Sequence, residues 1–315
     1  NILNLSNENE DAKRAAKLCK ADLVTGMVFE FTELQGIMGR EYAKVSGENE
    51  TVSEAIFEHY LPRFAGDILP QTNVGTALSI ADKLDSIVGF FAIGIQPTGS
   101  QDPYALRRQA LGVINILMDK KLQVNIKDLI NAALDNYSNL EFNKEEVVAN
   151  VMEFFKERVR NLFRELSIRY DVIEAVLSSE ISDVSDTYLR ALELNNWLQK
   201  DELVEMLTAF NRVSTLAQKS ESDVVNEELL KEEAEINLYA KFKETKQKVS
   251  ELLKDKKYSE ALDSFASLRP SIDAMFDSVM VMDKDEAIKN NRLGMLKQIY
   301  DTMLSICDLS KIVYK

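Results

Sequence analysis

The hydrophobic residues of this chain recur with helical spacing along most of its length. The clearest stripe follows the i, i+4, i+7, i+8 pattern and consists of Val147, Val151, Phe154, Phe155, Val159, Leu162 and Phe163. Such a stripe predicts an amphipathic helix that packs one face against a core. No segment shows the alternation of apolar and polar residues that indicates a strand, and no internal repeat is visible. We therefore predict an all-α protein.

Glycine and proline are concentrated in the first third of the chain. Ten of the 11 glycines and four of the five prolines occur by Gly112, so we expect shaped loops there and long helices afterwards. Asp102-Pro103 predicts a helix start, because an N-cap side chain precedes a ring that suits the first helical position. Asp283 with Glu286 predicts a capping-box-like start for the last long helix.

These signals divide the chain into three predicted domains, with boundaries near Pro103 and Lys200. Residues 1–103 form a compact helical domain, residues 104–200 a helical linker or middle domain, and residues 201–315 a C-terminal helical domain. The acidic stretch 220–235 is either a connection between helices or a polar helix. The sequence begins at an asparagine and in the middle of a residue pattern, so we expect this chain to be a fragment of a longer protein.

Composition excludes some classes of partner. The net charge of −14 argues against a surface that binds nucleic acid all over; only residues 237–315, with 14 basic and 12 acidic side chains, are locally basic. Cys19 and Cys307 lie in apolar segments with helical spacing, which predicts buried thiols in a reducing cytosol. The longest apolar run, residues 87–95, is less than half the roughly 20 residues of a membrane span. We expect a cytoplasmic protein without a membrane partner.

A possible metal centre is the first chemical candidate. The segments ADL, from Ala21, and ADKLD, from Ala81, resemble the positions of the His-Asp pair and the distal Asp of an HD-type phosphohydrolase. That fold binds a divalent metal through histidines and aspartates, so that water is activated beside a phosphate. The positions with carboxylates are Asp22 and Asp82, which could hold Mg²⁺ weakly.

The histidines of such a centre are missing, because Ala21 replaces the one in the pair and His59 is the only histidine of the chain. We therefore predict a degenerate HD-like unit without a complete metal site, and we interpret His59 as a hydrogen-bonding residue at a helix end. An active HD-type metal-dependent nucleotide phosphohydrolase stays as the alternative. No nucleophilic triad or phosphate-binding glycine loop is present, so no catalytic residue is predicted.

Basic residues are the second chemical candidate. Arg107 and Arg108 follow the predicted helix start, where backbone N–H groups favour an anion; they bind a phosphate or pair with carboxylates. A basic line recurs every four residues opposite the apolar stripe, at Lys156, Arg160 and Arg164. Residues 237–257 carry seven lysines, among them Lys241, Lys243, Lys246 and Lys248. Each of these groups is either a solvated helix face or a site for electrostatic RNA docking.

Four motifs of the first third resemble the beta subunit of the tetrameric bacterial glycyl-tRNA synthetases: ADLVTGMVFEFTELQGIMGREYA, HYLPRFAGDILP, ADKLDSIVGFFAIG and PTGSQDPYALRRQALGV. The resemblance continues to the C-terminus. There AFNRVSTLAQ, the segment from Tyr258 to Leu296 and ICDLSKIV are similar to the helical anticodon-binding domain shared with arginyl-tRNA synthetases.

The resemblance implies a division of labour between two subunits. The alpha subunit activates glycine with ATP and Mg²⁺, whereas beta binds tRNA(Gly) and is needed for its charging. This chain would be the C-terminal part of beta, with a degenerate HD-like domain, a helical linker and an anticodon-binding helical bundle. The resemblance also implies an alpha2beta2 assembly, and it implies that this part of beta holds no cofactor of its own.

The resemblance also proposes RNA-facing residues, namely Arg212, Arg269, Asn291 and Arg292. The planar guanidinium of arginine can pair bidentately with phosphate or stack on an unpaired base. The alternative is that Arg212 and Arg292 pair inside the domain with acids such as Asp273 and Asp277.

Overall fold

The computed structural model describes residues 2, 3, 5, 8–179, 181, 183–200 and 203–314. Helices dominate this part of the chain. Within it no strand forms, and the only β-type pairing is an isolated bridge between Thr98 and Gln101. The prediction of an all-α protein is therefore confirmed.

The chain divides into two compact units. The first is Asn1–Asn161 with Ile181–Ser185, and the second is Leu162–Glu180 with Asp186–Lys315. The domain boundaries predicted near Pro103 and Lys200 stay predictions, because compact packing units and functional domains need not coincide.

The helices that begin in the first unit are α1 (Asn9–Leu18), α2 (Gly26–Glu30), α3 (Ile37–Val45), α4 (Glu50–Glu58), α5 (Asn73–Ala92), α6 (Leu106–Asp119), α7 (Ile126–Leu134), α8 (Lys144–Glu165) and α10 (Val184–Trp197). Those that begin in the second are α9 (Tyr170–Leu177), α11 (Leu203–Ala217), α12 (Glu233–Lys254), α13 (Tyr258–Ala266), α14 (Arg269–Ser278) and α15 (Glu286–Leu304). Short 3₁₀ turns lie at Ala21–Val24, Thr32–Leu34, Asp135–Tyr137, Glu227–Leu229 and Leu309–Lys311.

Helix α5 is the centre of the first unit, where it packs against α1, α4, α6 and α7. Its core side chains Ile80, Ile87 and Val88 are almost completely buried. The helix begins at Thr72, whose hydroxyl oxygen accepts a hydrogen bond from the Gly75 N–H at 2.9 Å. Such an N-cap satisfies a donor that the first turn leaves unpaired.

The second unit is a helical bundle in which α11 packs against α14 and α15, and α12 packs against α13, α14 and α15. Phe210 and Phe265 are fully buried and meet edge to face, with ring centroids 6.3 Å apart. Trp197, also buried, donates its indole N–H to an Asp263 carboxylate oxygen at 2.8 Å.

Both predicted helix starts were displaced. Helix α6 begins at Leu106, because Ala105 adopts a left-handed conformation (φ 54°) and the Asp102 carboxylate reaches past this turn to the backbone. Helix α15 begins at Glu286 and is capped by Asp285, whose carboxylate accepts from the Ala287 N–H at 2.9 Å.

Two other predictions can be checked directly. Residues 220–235 are mostly a connection between α11 and α12, with one 3₁₀ turn. The predicted stripe lies on α8, and Val151, Phe155, Val159 and Phe163 are buried. No helix of the described ranges combines the length and the hydrophobicity that crossing a bilayer requires.

Candidate functional site

Asp22 supports the backbone of its own unit. Its carboxylate is buried, and Oδ2 accepts hydrogen bonds from the N–H groups of Gly36 at 2.7 Å and Gly39 at 3.1 Å. A Cβ at position 39 would lie 3.0 Å from that oxygen and 2.8 Å from Cγ2 of Ile56. Helix α3 can approach this closely only because residue 39 is glycine. The other oxygen, Oδ1, has no hydrogen-bond partner among the described residues.

Asp82 lies on α5 and lines a cleft of about 840 Å³, whereas Asp22 does not line it. The Lys20 ammonium is 2.5 Å from Oδ1 of Asp82. Burial opposes the charge of Lys20, but the hydrogen bond with Asp82 raises its pKa, so the ion pair persists at neutral pH. The two carboxylates therefore do not face one common open site, and one of them is neutralised by a side-chain cation.

His59 ends α4 and is completely buried, with Nδ1 2.6 Å from the carbonyl oxygen of Ile56. The prediction of a helix-end residue is confirmed. Burial lowers the pKa of His59, which keeps the ring neutral at pH 7. No three His, Cys, Asp or Glu side chains in the described ranges group as a metal ion requires. With Ala21 in place of a ligand and Asp82 paired to Lys20, these residues do not fit the metal of an HD centre.

Lys83 is a buried cation that sequence reasoning missed. Its ammonium donates to the carbonyl oxygens of His59 at 3.1 Å and Leu61 at 2.8 Å, and to the Ser79 hydroxyl at 2.8 Å. All three acceptors are neutral, so burial dominates and lowers the pKa of Lys83 to about 8. The side chain holds the turn that follows α4. The signal that could have identified this buried cation is a lysine within the mostly apolar sequence of α5.

Both cysteines are free and buried, as predicted. Burial raises the pKa of the Cys307 thiol to about 12, and that of Cys19 is also raised by burial. Neither thiol is therefore activated as a nucleophile.

Arg107 and Arg108 are the second and third residues of α6. The helix start does not present a free anion site, because the Asp102 carboxylate accepts from the N–H groups of Leu106 at 2.8 Å and Arg107 at 3.0 Å. Arg107 reaches the Gln101 carbonyl oxygen at 3.5 Å, and Arg108 is exposed. Their contact with RNA stays a prediction.

The basic residues of α8 differ in their surroundings. Lys156 is half-buried, Arg160 pairs with Glu157, and Arg164 is exposed. RNA contact by these three residues also stays a prediction.

Arg292 lies inside the second unit. Its side chain is 4% exposed, its Nε and Nη2 donate to the two oxygens of Glu235 at 2.7 and 3.2 Å, and Nη1 donates to Asp283 at 3.0 Å. Burial pushes the pKa of Glu235 upward, but the hydrogen bonds from Arg292 and from the backbone bring it below its usual value. Pairing inside the domain was the stated alternative; the partners are these acids and not Asp273 and Asp277.

Asn291 is also buried and holds the connection before α12. Its amide oxygen accepts from the Asn226 N–H at 2.7 Å, and its amide nitrogen donates to the Asn226 carbonyl at 3.1 Å. Contact with RNA would break these bonds, as it would break those of Arg292. We assign both residues to the fold and leave them out of the proposed interface.

Arg212 and Arg269 do reach the surface. Arg269 is 30% exposed and pairs with Glu205 at 3.2 Å, while the exposed Arg212 guanidinium lies 4.3 Å from the ring centroid of Phe276. On α11 Glu205 precedes Arg212 by seven residues, and on α14 their respective partners Arg269 and Phe276 are also seven residues apart and in the same order. The two helices therefore run side by side in the same direction, and both arginines lie along their seam.

The two lysines predicted on α12 are already engaged. Lys241 is half-buried and donates to the Ser267 carbonyl oxygen. Lys243 pairs with Glu227 at 2.6 Å, and its ammonium lies 5.0 Å from the ring centroid of Tyr239. Their RNA contact stays a prediction.

Residues 1–178 match the family model described as glycyl-tRNA synthetase beta subunit, and residues 206–313 match the DALR anticodon binding domain. The chain is 76% identical to the glycine--tRNA ligase beta subunit of Clostridioides difficile (strain 630) over 313 residues, which are 99% of this chain and 46% of that protein. It is 45% identical to the glycine--tRNA ligase beta subunit of Desulforamulus reducens over 309 residues, or 97% of this chain and 44% of that protein. The chain thus spans under half the length of these relatives. The family inferred from the motifs is confirmed: the chain belongs to the glycyl-tRNA synthetase beta subunit family.

Proposed function

We propose that this chain is the tRNA-binding portion of a glycine--tRNA ligase beta subunit. In this role it supports the ATP-dependent attachment of glycine to tRNA(Gly) by the alpha subunit, within an alpha2beta2 assembly in the cytoplasm. The chain contributes no catalytic residue, and ATP and Mg²⁺ serve the partner. The observation that carries the proposal is the match of residues 206–313 to an anticodon binding domain.

The surface of the second unit supports RNA contact along the seam of α11 and α14. Arg212 stacks on Phe276 and keeps its guanidinium exposed. Arginine in this setting can pair with phosphate or stack on a base of a tRNA loop, where bases are unpaired. Buried residues such as Arg292 keep the helices in position and do not take part in the contact.

We do not propose a phosphohydrolase. The Asp22 carboxylate is buried and bound to backbone N–H groups, and Asp82 is paired with Lys20. These are the two carboxylates on which the hydrolase alternative depended.

The proposal is tested by filter binding of the 315-residue chain to glycine tRNA and to a mixed tRNA pool. We expect tighter binding to glycine tRNA, and an affinity for Arg212→Ala that is about tenfold lower. Arg63→Ala is the control, because Arg63 is an exposed arginine of the first unit that pairs with Asp67. Equal affinity for the mixed pool, or equal losses in the two variants, would contradict the proposal.

A further inference from the structure

Helix α12 carries an unusual concentration of positive charge for a chain with a net charge of −14. Between residues 241 and 254 it has five lysines and two acidic side chains. The lysines are not equivalent, because Lys241 and Lys243 have polar partners within the unit. Lys246 and Lys254 are exposed and form no ion pair with any residue that the structure describes; the Lys246 ammonium lies 5.9 Å from the ring centroid of Phe242, a contact that leaves its N–H donors unpaired with any acid.

These two lysines border the same concave surface. Two hollows, of about 570 and 620 Å³, both include Lys246, Ser250, Lys254 and Gln298 in their walls. The shared residues show that the hollows adjoin along one side of α12. The hydroxyl of Ser250 and the amide of Gln298 add hydrogen-bonding groups between and beside the two charges.

Acidic side chains also line these hollows, but none that the structure describes forms an ion pair with Lys246 or Lys254. Asp301 lines one hollow but is 2.8 Å from Lys297, with which it forms an ion pair. Asp223 lines the same hollow and Glu251 lines the other, and neither lies within ion-pair distance of the two lysines. Among the described residues neither ammonium group therefore has an ion-pair partner, and both can donate to the oxygens of an external anion.

The spacing of the two lysines suits a polymer of phosphates. Eight residues of α-helix correspond to a rise of about 12 Å. A nucleic-acid strand carries one phosphate per about 3.4 Å of its axis, so this distance covers more than one phosphate. A lysine ammonium is a compact charge with three donors, which suits phosphate oxygens without reading the base.

We propose that Lys246 and Lys254 form a phosphate-binding surface that contacts the sugar-phosphate backbone of the bound tRNA. This inference rests on the proposed function and names the residues of the second unit that supply its electrostatic contact. It differs from the assignment of Lys241 and Lys243, whose ammonium groups are engaged within the unit.

The same helix provides a matched control. Lys248 is exposed and lacks an ion pair with the described residues, but it lines a different hollow, together with Glu260 and Asp263. Replacing Lys248 removes the same charge from the same helix without changing the proposed surface.

The test measures the binding of the 315-residue chain to glycine tRNA over a series of salt concentrations. Lys246→Ala and Lys254→Ala should each reduce the slope of log K against log salt by about 0.7 to 0.9, and the double variant by about 1.4 to 1.8. Lys248→Ala should leave the slope unchanged. Circular dichroism and Trp197 fluorescence verify that each variant is folded.

Each other outcome has a defined meaning. An unchanged slope in the double variant overturns the inference and leaves the proposed function standing. An equal reduction in Lys248→Ala overturns the assignment to this surface. If the unchanged chain binds no tRNA, the proposed function fails, and the inference fails with it.

Discussion

Replacing Arg292 with methionine should severely destabilise the second unit. The change removes the cation that donates to both oxygens of Glu235, at 2.7 and 3.2 Å. The carboxylate would keep only the backbone N–H groups of Lys231 at 2.5 Å and Glu232 at 2.8 Å. Because the Glu235 side chain is fully buried, an unpaired charge at this place costs about 3–5 kcal/mol.

A second substitution separates the cost of an unpaired charge from the cost of lost packing. Glu235→Gln removes the negative charge but keeps an oxygen that can accept from the N–H groups of Lys231 and Glu232, just before α12. In the double variant with Arg292→Met the buried carboxylate at position 235 is gone, so its destabilisation should be smaller than the sum of the two single changes. Arg269→Met is the control, since the partners of Arg269, Glu205 and Asp273, both have solvent-accessible carboxylates and the change should cost less than about 1 kcal/mol.

Urea unfolding followed by tryptophan fluorescence measures these differences. Trp197 is the only tryptophan of the chain and is buried in the second unit, so its signal reports the unfolding of that unit. If Arg292→Met costs no more than Arg269→Met, or if the single effects simply add, then the pair does not hold α12 to α15. Arg292 would then have to be considered again as an RNA contact.

Two further predictions concern the first unit. The pKa of Lys83 is about 8 in the folded chain and 10.5 in the unfolded reference, so the native state releases this proton first. The contribution of this proton release to stability is complete above pH 10.5 and is lost as the pH falls through 8. Relative to Lys83→Met, the free energy of unfolding should therefore rise by up to about 3 kcal/mol between pH 8 and pH 10.5. If the difference in the free energy of unfolding between the two proteins does not change with pH, the assignment is contradicted. Gly39→Ala should cost about 1–3 kcal/mol in urea unfolding followed by circular dichroism, because its Cβ would meet Ile56 and Asp22. Gly26→Ala, whose Cβ meets nothing within 4 Å, should be neutral or slightly stabilising, and equal effects of the two changes would refute the argument.

The helical architecture could be predicted from the sequence, because the spacing of hydrophobic residues is a local property. The stripe on α8 and the N-terminal concentration of glycine needed no tertiary information. The precise helix starts were not readable, because the turn at Ala105 is left-handed and Asp102 caps the helix from beyond it. A propensity for capping identifies the residue that can cap, but not the distance from which it does so.

The candidate site was less predictable, because ion pairs depend on residues that are distant in the sequence. The motif proposes Arg292 as an RNA-facing residue, whereas the structure pairs it with Glu235, which lies 57 residues away in the sequence, and its burial depends on the whole bundle. Similarly, Lys243 pairs with Glu227, whereas Lys246 forms no ion pair with an acid that the structure describes. Helical spacing places these lysines on one helix but cannot tell which of them remain available to a ligand.

The central claim, that the second unit binds the anticodon arm of a tRNA, is tested most directly by nuclease footprinting of glycine tRNA in the presence of the 315-residue chain. We expect nucleotides of the anticodon loop to be protected, and Arg212→Ala to weaken this protection. An unprotected anticodon loop at concentrations where the tRNA is bound would contradict it.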